Sequence, residues 1–507
     1  MKFILGIDIG TTFSKIVAVG IDGEILYQSK ADYPTIQSLP GQSEQDADSV
    51  FEAVMVLIRG AIKEFRTGEG LKDHSLTAIC FSAAMHSVLA VDKEGRALTN
   101  AFTWADTRSH EQAAGLKNRH NAGLLYRKTG TPIHSMSPFC KIAWMRQAMP
   151  EKFEAAEKFI SIKEYIYHKL FGKYVVDHSI ASATGLFDNS ELLWCEEALE
   201  AVNISTSKLS LPVPVTHFET AVKEEYRKLM GVPENIPFII GASDGCLANL
   251  GSGAILKGEG ALTIGTSGAI RVVSGKSIPD PGERLFNYIL ADGLFVTGGP
   301  VSNGGAALKW FAENFLQGFS TDAKDINLLA ETSLRSSPGA EGLLFLPYLS
   351  GERAPYWDAA ARGAFIGLQI SHKKEHLVRA VLEGISFALL QVLEAVEETN
   401  GDIHTLYASG GFTASNAWLQ LVSDVLNKKI IVTGTADASA VGAALLGMKA
   451  MGLLENWEQS KLLIKQQRTF EPDHKMHQLY QPYFGIYKRM YPILKDDFHR
   501  LGKLQQL

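Results

Sequence analysis

Two short turns carry the residue types that handle phosphate. Ile9-Gly10-Thr11-Thr12 closes the Ile-rich run 3–9 and leads into the run 13–19, while Ile264-Gly265-Thr266-Ser267 leads into the apolar run 268–273. A glycine lets polyphosphate approach the backbone, exposed N–H groups bind its oxygens, and neighbouring hydroxyls donate further hydrogen bonds. Lys15, just past the first turn, adds a point charge. Asp8, just before it, disfavours phosphate by itself and makes sense as the holder of a hydrated magnesium ion bridging the phosphates. Either turn alone is an ordinary hairpin connection. Two of them, one beside an acid, argue for a nucleotide. Commoner nucleotide motifs are missing. Ser274-Gly275-Lys276-Ser277 ends like a P-loop, yet Ile270 stands where the earlier glycine belongs, and no GxGxxG opens a helix behind a strand.

A second group of residues suits a polyol. Sugar recognition pairs polar side chains with aromatic faces, and Ser82-Ala83-Ala84-Met85-His86-Ser87 and Thr103-Trp104-Ala105-Asp106-Thr107-Arg108 have that mixture. Plainer readings exist: a loop histidine is commonly just solvated, and Trp104 serves equally as core packing. Asp244, between the apolar run 238–242 and a Gly-rich stretch, suits a carboxylate at a strand end, where the plainer role is a helix cap.

These residues need elements to position them. Strands are predicted over 3–9, 15–19, 24–33, 76–82 and 88–91, with Asp22-Gly23 as a hairpin turn. Behind Asp46, a helix cap, Val50, Val54, Leu57, Ile58, Ala61 and Phe65 recur at helical spacing. The continued alternation of strands and helices reads as α/β. The two phosphate turns, each flanked by strands, suggest a duplicated plan with one hairpin per half. The boundary is expected near 250, giving an N-terminal domain 1–250, a second domain 251–455, and a peripheral helical tail 456–507 rich in Lys, Gln and His.

Composition narrows the classes. At 507 residues, with 46% hydrophobic and 21% charged residues, the chain is long enough for two cored domains. A net charge of −6 argues against a nucleic-acid footprint, so an anionic substrate needs local basic groups. Cys80, Cys140, Cys195 and Cys246 form no CxxC pair, which points to free thiols in a reducing compartment. Asp8 and Gly10 interrupt the opening apolar run before it could act as a signal peptide, and no uncharged run suits a membrane span. A cytoplasmic protein without membrane or nucleic-acid partners is expected.

Five segments resemble, in order, the motifs of the FGGY carbohydrate kinases. They are residues 3–12; the acceptor loop around His86; Phe238-Ile239-Ile240-Gly241-Ala242-Ser243-Asp244-Gly245; residues 346–355, including Gly351-Glu352-Arg353; and Ala408-Ser409-Gly410-Gly411-Phe412. The resemblance runs from Phe3 to about Leu453. It implies an α/β fold of two ribonuclease H-like (actin-like ATPase) domains flanking a central cleft, with ATP and magnesium as cofactors. It also implies Asp244 as general base and Asp8 as metal and phosphate organiser. Thr11, Thr12, Lys15, Gly265 and Thr266 would contact phosphates; Gly305, Gly411, Ser415 and Asn416 would line the nucleotide pocket. Met85, His86, Trp104, Asp106 and Arg108 would touch the sugar. Lys309 departs from the glutamine of glycerol kinases at the matching place and has no assigned role.

Within the family, Thr129-Gly130-Thr131-Pro132-Ile133-His134, Ser161-Ile162-Lys163-Glu164-Tyr165 and residues 298–305 are most similar to the bacterial gluconate kinase branch. A carboxylate substrate wants an Arg or paired donors, and Arg108, Lys163 or Arg353 could serve. Xylulose kinases share similar basic positions, so a pentulose kinase is the nearest alternative. An actin-like filament protein or nucleotide-gated chaperone, and a sugar-binding regulator without catalysis, are remoter. Family analogy suggests a homodimer.

Overall fold

The computed structural model describes residues 1–119, 121–316, 323–434 and 437–504. The strand Lys2–Ile9 is buried along nearly its whole length, which its continuous apolar run requires of a central strand. It pairs antiparallel with Phe13–Gly20, Asp8 opposite Lys15, and parallel with Ser75–Ala83, Asp8 opposite Ser82. The sheet runs Phe218–Glu219, Phe238–Ser243, Ser75–Ala83, Lys2–Ile9, Phe13–Gly20, Ile25–Asp32. Ala47–Thr67 covers one face, and Ser49 N donates to Asp46 at 2.7 Å, the expected cap.

A second sheet repeats this plan. Glu259–Ile264 and Gly268–Ser274 form its hairpin, Leu294–Val301 is the third antiparallel strand, and Thr405–Ser409 and Lys429–Thr433 add in parallel. Phe286–Ala291 and Gln466–Phe470 extend its two edges. Each sheet thus has three antiparallel strands followed, beyond the first, by two parallel ones. This is the ribonuclease H-like order, present twice.

Each half then sends a helix toward the other. Asp244–Ser252 leaves the last parallel strand of the first sheet, and Ala438–Ala450 follows that of the second. The two helices cross so closely that glycine is required. A Cβ on Gly251 would lie 1.8 Å from the Ala438 carbonyl oxygen, and one on Gly442 2.0 Å from that of Leu247. Ala438–Ala450 also lies on the first sheet, where a Cβ on Gly6 would come within 2.0 Å of the Ala440 carbonyl oxygen. Ile4, Val17, Ile239, Leu247, Phe286 and Ala444 share one apolar cluster that joins the halves.

One expectation changes. The segment 456–507 is helical over His474–Leu504 but not peripheral. Gln466–Phe470 pairs with Lys429–Thr433, and Tyr480, Phe484, Tyr487, Tyr491 and Phe498 enter the core of the second half. Composition hides this because the buried aromatics are spaced along one face of a polar helix. Lys374–Asn400 is long and apolar enough to cross a membrane, yet 94% of its most apolar window is buried within the molecule, as in a central core helix. All four cysteines are free and buried.

Candidate active site

The two turns face one cleft. In the first, Gly10 N donates to Phe13 O at 3.1 Å and closes a tight loop that leaves Thr12 exposed. Thr11 is fixed from outside: Trp104 Nε1 donates to its Oγ1 at 3.0 Å, and Gln45 Nε2 to its carbonyl at 2.8 Å. In the second, Gly265 N donates to Ser267 O at 2.9 Å, while Gly304 and Gly305 N–H groups donate back to the carbonyls of Thr266 and Gly265. The helix Gly305–Phe315 is thereby tied to the turn. Gly304 must be glycine, since a Cβ would meet Ser267 O at 2.5 Å.

Two cavities open beside the second turn. One of about 450 Å³ is lined by Gly265, Thr266, Gly305, Lys309, Trp310, Gly411, Phe412 and Trp418 among others. It combines turn backbone at one end with flat aromatic and aliphatic walls, which suits phosphates and a nucleobase. The other, of about 250 Å³, is lined by Met85, His86, Trp104, Asp244, Ser267, Arg271, Tyr288 and Arg353 with their neighbours. That is room for one small polyol.

The acidic pair lies in this cleft. Asp244 begins the helix that follows Phe238–Ser243, and its Oδ1 accepts from Gly245 N at 2.7 Å. Burial raises its carboxyl above the usual range; the charge of Arg271 and the N–H groups of Gly245 and Met85 oppose the rise. Burial and then the charge of Asp244 push Asp8 up to about 6, although Ser82 Oγ donates to Asp8 Oδ1 at 2.6 Å. Two buried acids of raised proton affinity, one of them raised in part by the other's charge, suit a divalent cation, which would favour both ionised forms. Among the described residues no cluster of three His, Cys, Asp or Glu side chains could cage a metal. Phosphate and water oxygens would have to supply most of its ligands.

His86 holds a left-handed backbone, φ 66°, and its Nδ1 lies 2.7 Å from Ala183 O. A carbonyl only accepts, so Nδ1 carries the proton and Nε2 remains an acceptor. Burial, then the Lys141 charge, pushes this imidazole down to about 3, so it stays neutral at physiological pH. Lys141 in turn donates to His86 O at 2.9 Å and Met136 O at 2.6 Å, fixing the loop.

The structure sets Gly265, Thr266, Gly305, Gly411, Met85, His86, Trp104 and Asp244 on the walls of the two cavities, with Asp8 near enough to feel the Asp244 charge and Thr11 bonded to Trp104; Thr12, Lys15, Asp106, Arg108, Ser415 and Asn416 line neither cavity. Asp106 accepts from Ser43 N at 2.9 Å and pairs with Arg108, which also binds Glu44; these groups lock loops together and do not line the sugar cavity. Ser415 caps the helix Asn416–Leu426, accepting from Trp418 N at 3.3 Å, and Asn416 Oδ1 accepts from Arg468 Nη1 at 2.6 Å. Lys15 forms an ion pair with Asp437, from the other half. Lys163, considered for a carboxylate, is buried against Asp177 at 2.6 Å and donates to Ala242 O at 3.1 Å. Arg271 and Tyr288 escaped the sequence reading; the signal for Arg271 was a lone charge inside the apolar strand 268–273.

Models of the FGGY family of carbohydrate kinases match the chain in two parts, the N-terminal domain over residues 3–251 and the C-terminal domain over 260–451. The chain belongs to the FGGY carbohydrate kinases. This FGGY kinase is 38% identical over 511 residues to a gluconokinase of Bacillus subtilis, covering 100% of the chain and 98% of that relative. Among solved structures it is similar to gluconate kinase from Lactobacillus acidophilus, with 34% identity, 99% of each chain covered and a TM-score of 0.92. A ligand-bound xylulose kinase from the same organism gives 33% identity, 99% and 100% coverage, and a TM-score of 0.92. The two-domain kinase fold expected from the motifs is therefore the fold of this chain.

Proposed function

We propose that this FGGY kinase transfers the terminal phosphoryl group of ATP to the 6-hydroxyl of D-gluconate, giving 6-phospho-D-gluconate and ADP. The observation that carries the reading is the placement of Asp244 in the small cavity, beside the turn Ser267-Gly268 that leads to the larger one. Asp244 takes the hydroxyl proton as that oxygen bonds to phosphorus and the bond to the ADP oxygen breaks. His86 Nε2 accepts a hydrogen bond from a second hydroxyl, and the Trp104 face orients the carbon chain. Thr11, Thr12, Gly265 and Thr266 hold phosphate oxygens from both sides; Gly411 and Phe412 bound the base. Asp8 would hold magnesium through water, and the ion would neutralise charge on the phosphates. The sugar cavity is lined from both halves, with Asp244 and His86 from 1–250, while the nucleotide cavity is lined by the second half, 251–455. Both substrates are soluble metabolites, and we place the reaction in the cytoplasm.

The similarity to a xylulose kinase structure at the same TM-score supports a second reading, a pentulose as acceptor. A coupled assay of ADP release against gluconate, xylulose, glycerol and other polyols tests both. Gluconate should be the best acceptor by kcat/KM. Turnover of xylulose without gluconate would overturn the proposal.

A further inference from the structure

The small cavity holds two guanidinium groups, Arg271 and Arg353, and neither forms an ion pair with a described carboxylate. Arg271 reaches one described acceptor, Thr263 Oγ1 at 3.4 Å. Arg353 donates to Val301 O at 3.0 Å, stacks over Trp104 with its carbon 4.8 Å from the ring centroid, and keeps a buried Nε with no described partner. The two are close enough that Arg271 helps burial lower Arg353 to about 10. Glu352 and Asp244 offset part of the charge of Arg353 and Arg271, but guanidiniums withdrawn from water without a paired carboxylate are costly, and an arrangement of this kind is relieved by an anion.

We infer that Arg271 and Arg353 together form a carboxylate subsite, and that Arg271 is the residue that distinguishes a sugar acid from a neutral sugar. The inference rests on the reading of the acceptor as a sugar acid and names what recognises its charged end. Asp244 and Glu352 act on the two guanidiniums from nearby without bridging to them, so the forks remain available to the oxygens of an acidic ligand. Planar guanidinium forks bind carboxylate oxygens in pairs, a geometry that a neutral ketose or polyol cannot satisfy. The anion is not the nucleotide's phosphate chain: the turn residues Gly265, Thr266 and Gly305 line the other cavity, whereas both guanidiniums share theirs with His86, Trp104 and Asp244.

The test compares D-gluconate with D-gluconamide, its uncharged analogue, in the full-length protein and in Arg271→Met and Arg271→Lys. The native protein should favour gluconate by roughly 10- to 100-fold in kcat/KM, mostly through KM. Arg271→Met should abolish that preference while leaving KM for ATP unchanged, and Arg271→Lys should restore part of it. If Arg271→Met does not fold, Arg271→Lys carries the test, since a point charge cannot reproduce the paired contact and the preference must shrink. A preference for the acid that survives substitution would overturn the clamp and leave the substrate reading intact. A rise in KM for ATP with equal losses on both acceptors would assign Arg271 to phosphate and also overturn it. If the native protein phosphorylates xylulose but not gluconate, the substrate reading fails and the clamp falls with it.

Discussion

Two cation–carboxylate pairs occupy matching places in the two halves. Lys15 lies on the second strand of the first hairpin and meets Asp437, at the start of the helix sent over by the second half. Arg271 lies on the second strand of the other hairpin and faces Asp244, at the start of the helix sent over by the first half. Lys15 and Asp437 close into an ion pair, whereas Arg271 and Asp244 sense each other's charge without one. One repeat uses the geometry to hold the halves together. The other keeps the same geometry open, and a cavity with an acid whose proton affinity is raised lies there. Duplication supplied the frame, and leaving one pair unsatisfied made a site.

Substitutions at the two acids should break this comparison most sharply. Asp244→Asn should lower turnover by roughly 10²- to 10⁴-fold with ATP binding retained, the usual worth of a general base. Asp437→Asn should leave turnover within the same order of magnitude. Steady-state kinetics with calorimetric nucleotide binding measures both, and equal losses would mean that the pairs are not functionally distinct.

The support beneath Asp244 is the next test. Lys163 and Asp177 are almost fully buried as an ion pair, and Lys163 also donates to the Ala242 carbonyl of its strand. Lys163→Met leaves Asp177 uncompensated and should cost about 3–5 kcal/mol in denaturant unfolding. At the helix crossing, a side chain on residue 442 would collide with the Leu247 carbonyl, and Gly442→Ala should cost about 1–3 kcal/mol by the same measurement. A neutral result would show that the halves are free to move apart at that point.

Smaller effects sharpen the picture. Asp8 has a folded pKa, about 6, above its ordinary 3.8, so the folded protein binds that proton more tightly than the unfolded chain. Its contribution is fully present below the ordinary value and is lost as pH rises through 6. Without nucleotide or magnesium, the Tm should therefore fall by roughly 1–3 °C between pH 4.5 and 7 relative to Asp8→Asn. An unchanged difference would detach Asp8 from the acidic pair. Last, a double-mutant cycle of Lys15→Met and Asp437→Asn should return a coupling of about 0.5–1 kcal/mol, as befits a partly exposed pair.

Much of the site was legible because it is local. Gly10-Thr11-Thr12 and Gly265-Thr266-Ser267 announce phosphate turns through the backbone freedom and hydroxyls of neighbouring residues, and Asp8 and Asp244 stand at the ends of apolar strand runs. Asp106 and Arg108 misled for the same reason. Their residue types suit a sugar, but Glu44 and the Ser43 N–H, remote in sequence, claim both. Ser415 looked like a pocket residue and is a helix cap.

The sequence alone determined the α/β class, the duplicated hairpins, the acids and the family motifs, because turn chemistry and strand periodicity act over a few neighbouring residues. Only the tertiary structure decided which charges are spent on one another and which are left for a ligand. Lys15 and Asp437 are 422 residues apart, and they meet because each half buries a helix against the other's sheet. The same packing set Arg271 and Arg353 in one cavity, neither in an ion pair with a described carboxylate. Their freedom depends on how two sheets and two crossing helices fit, which no local pattern records.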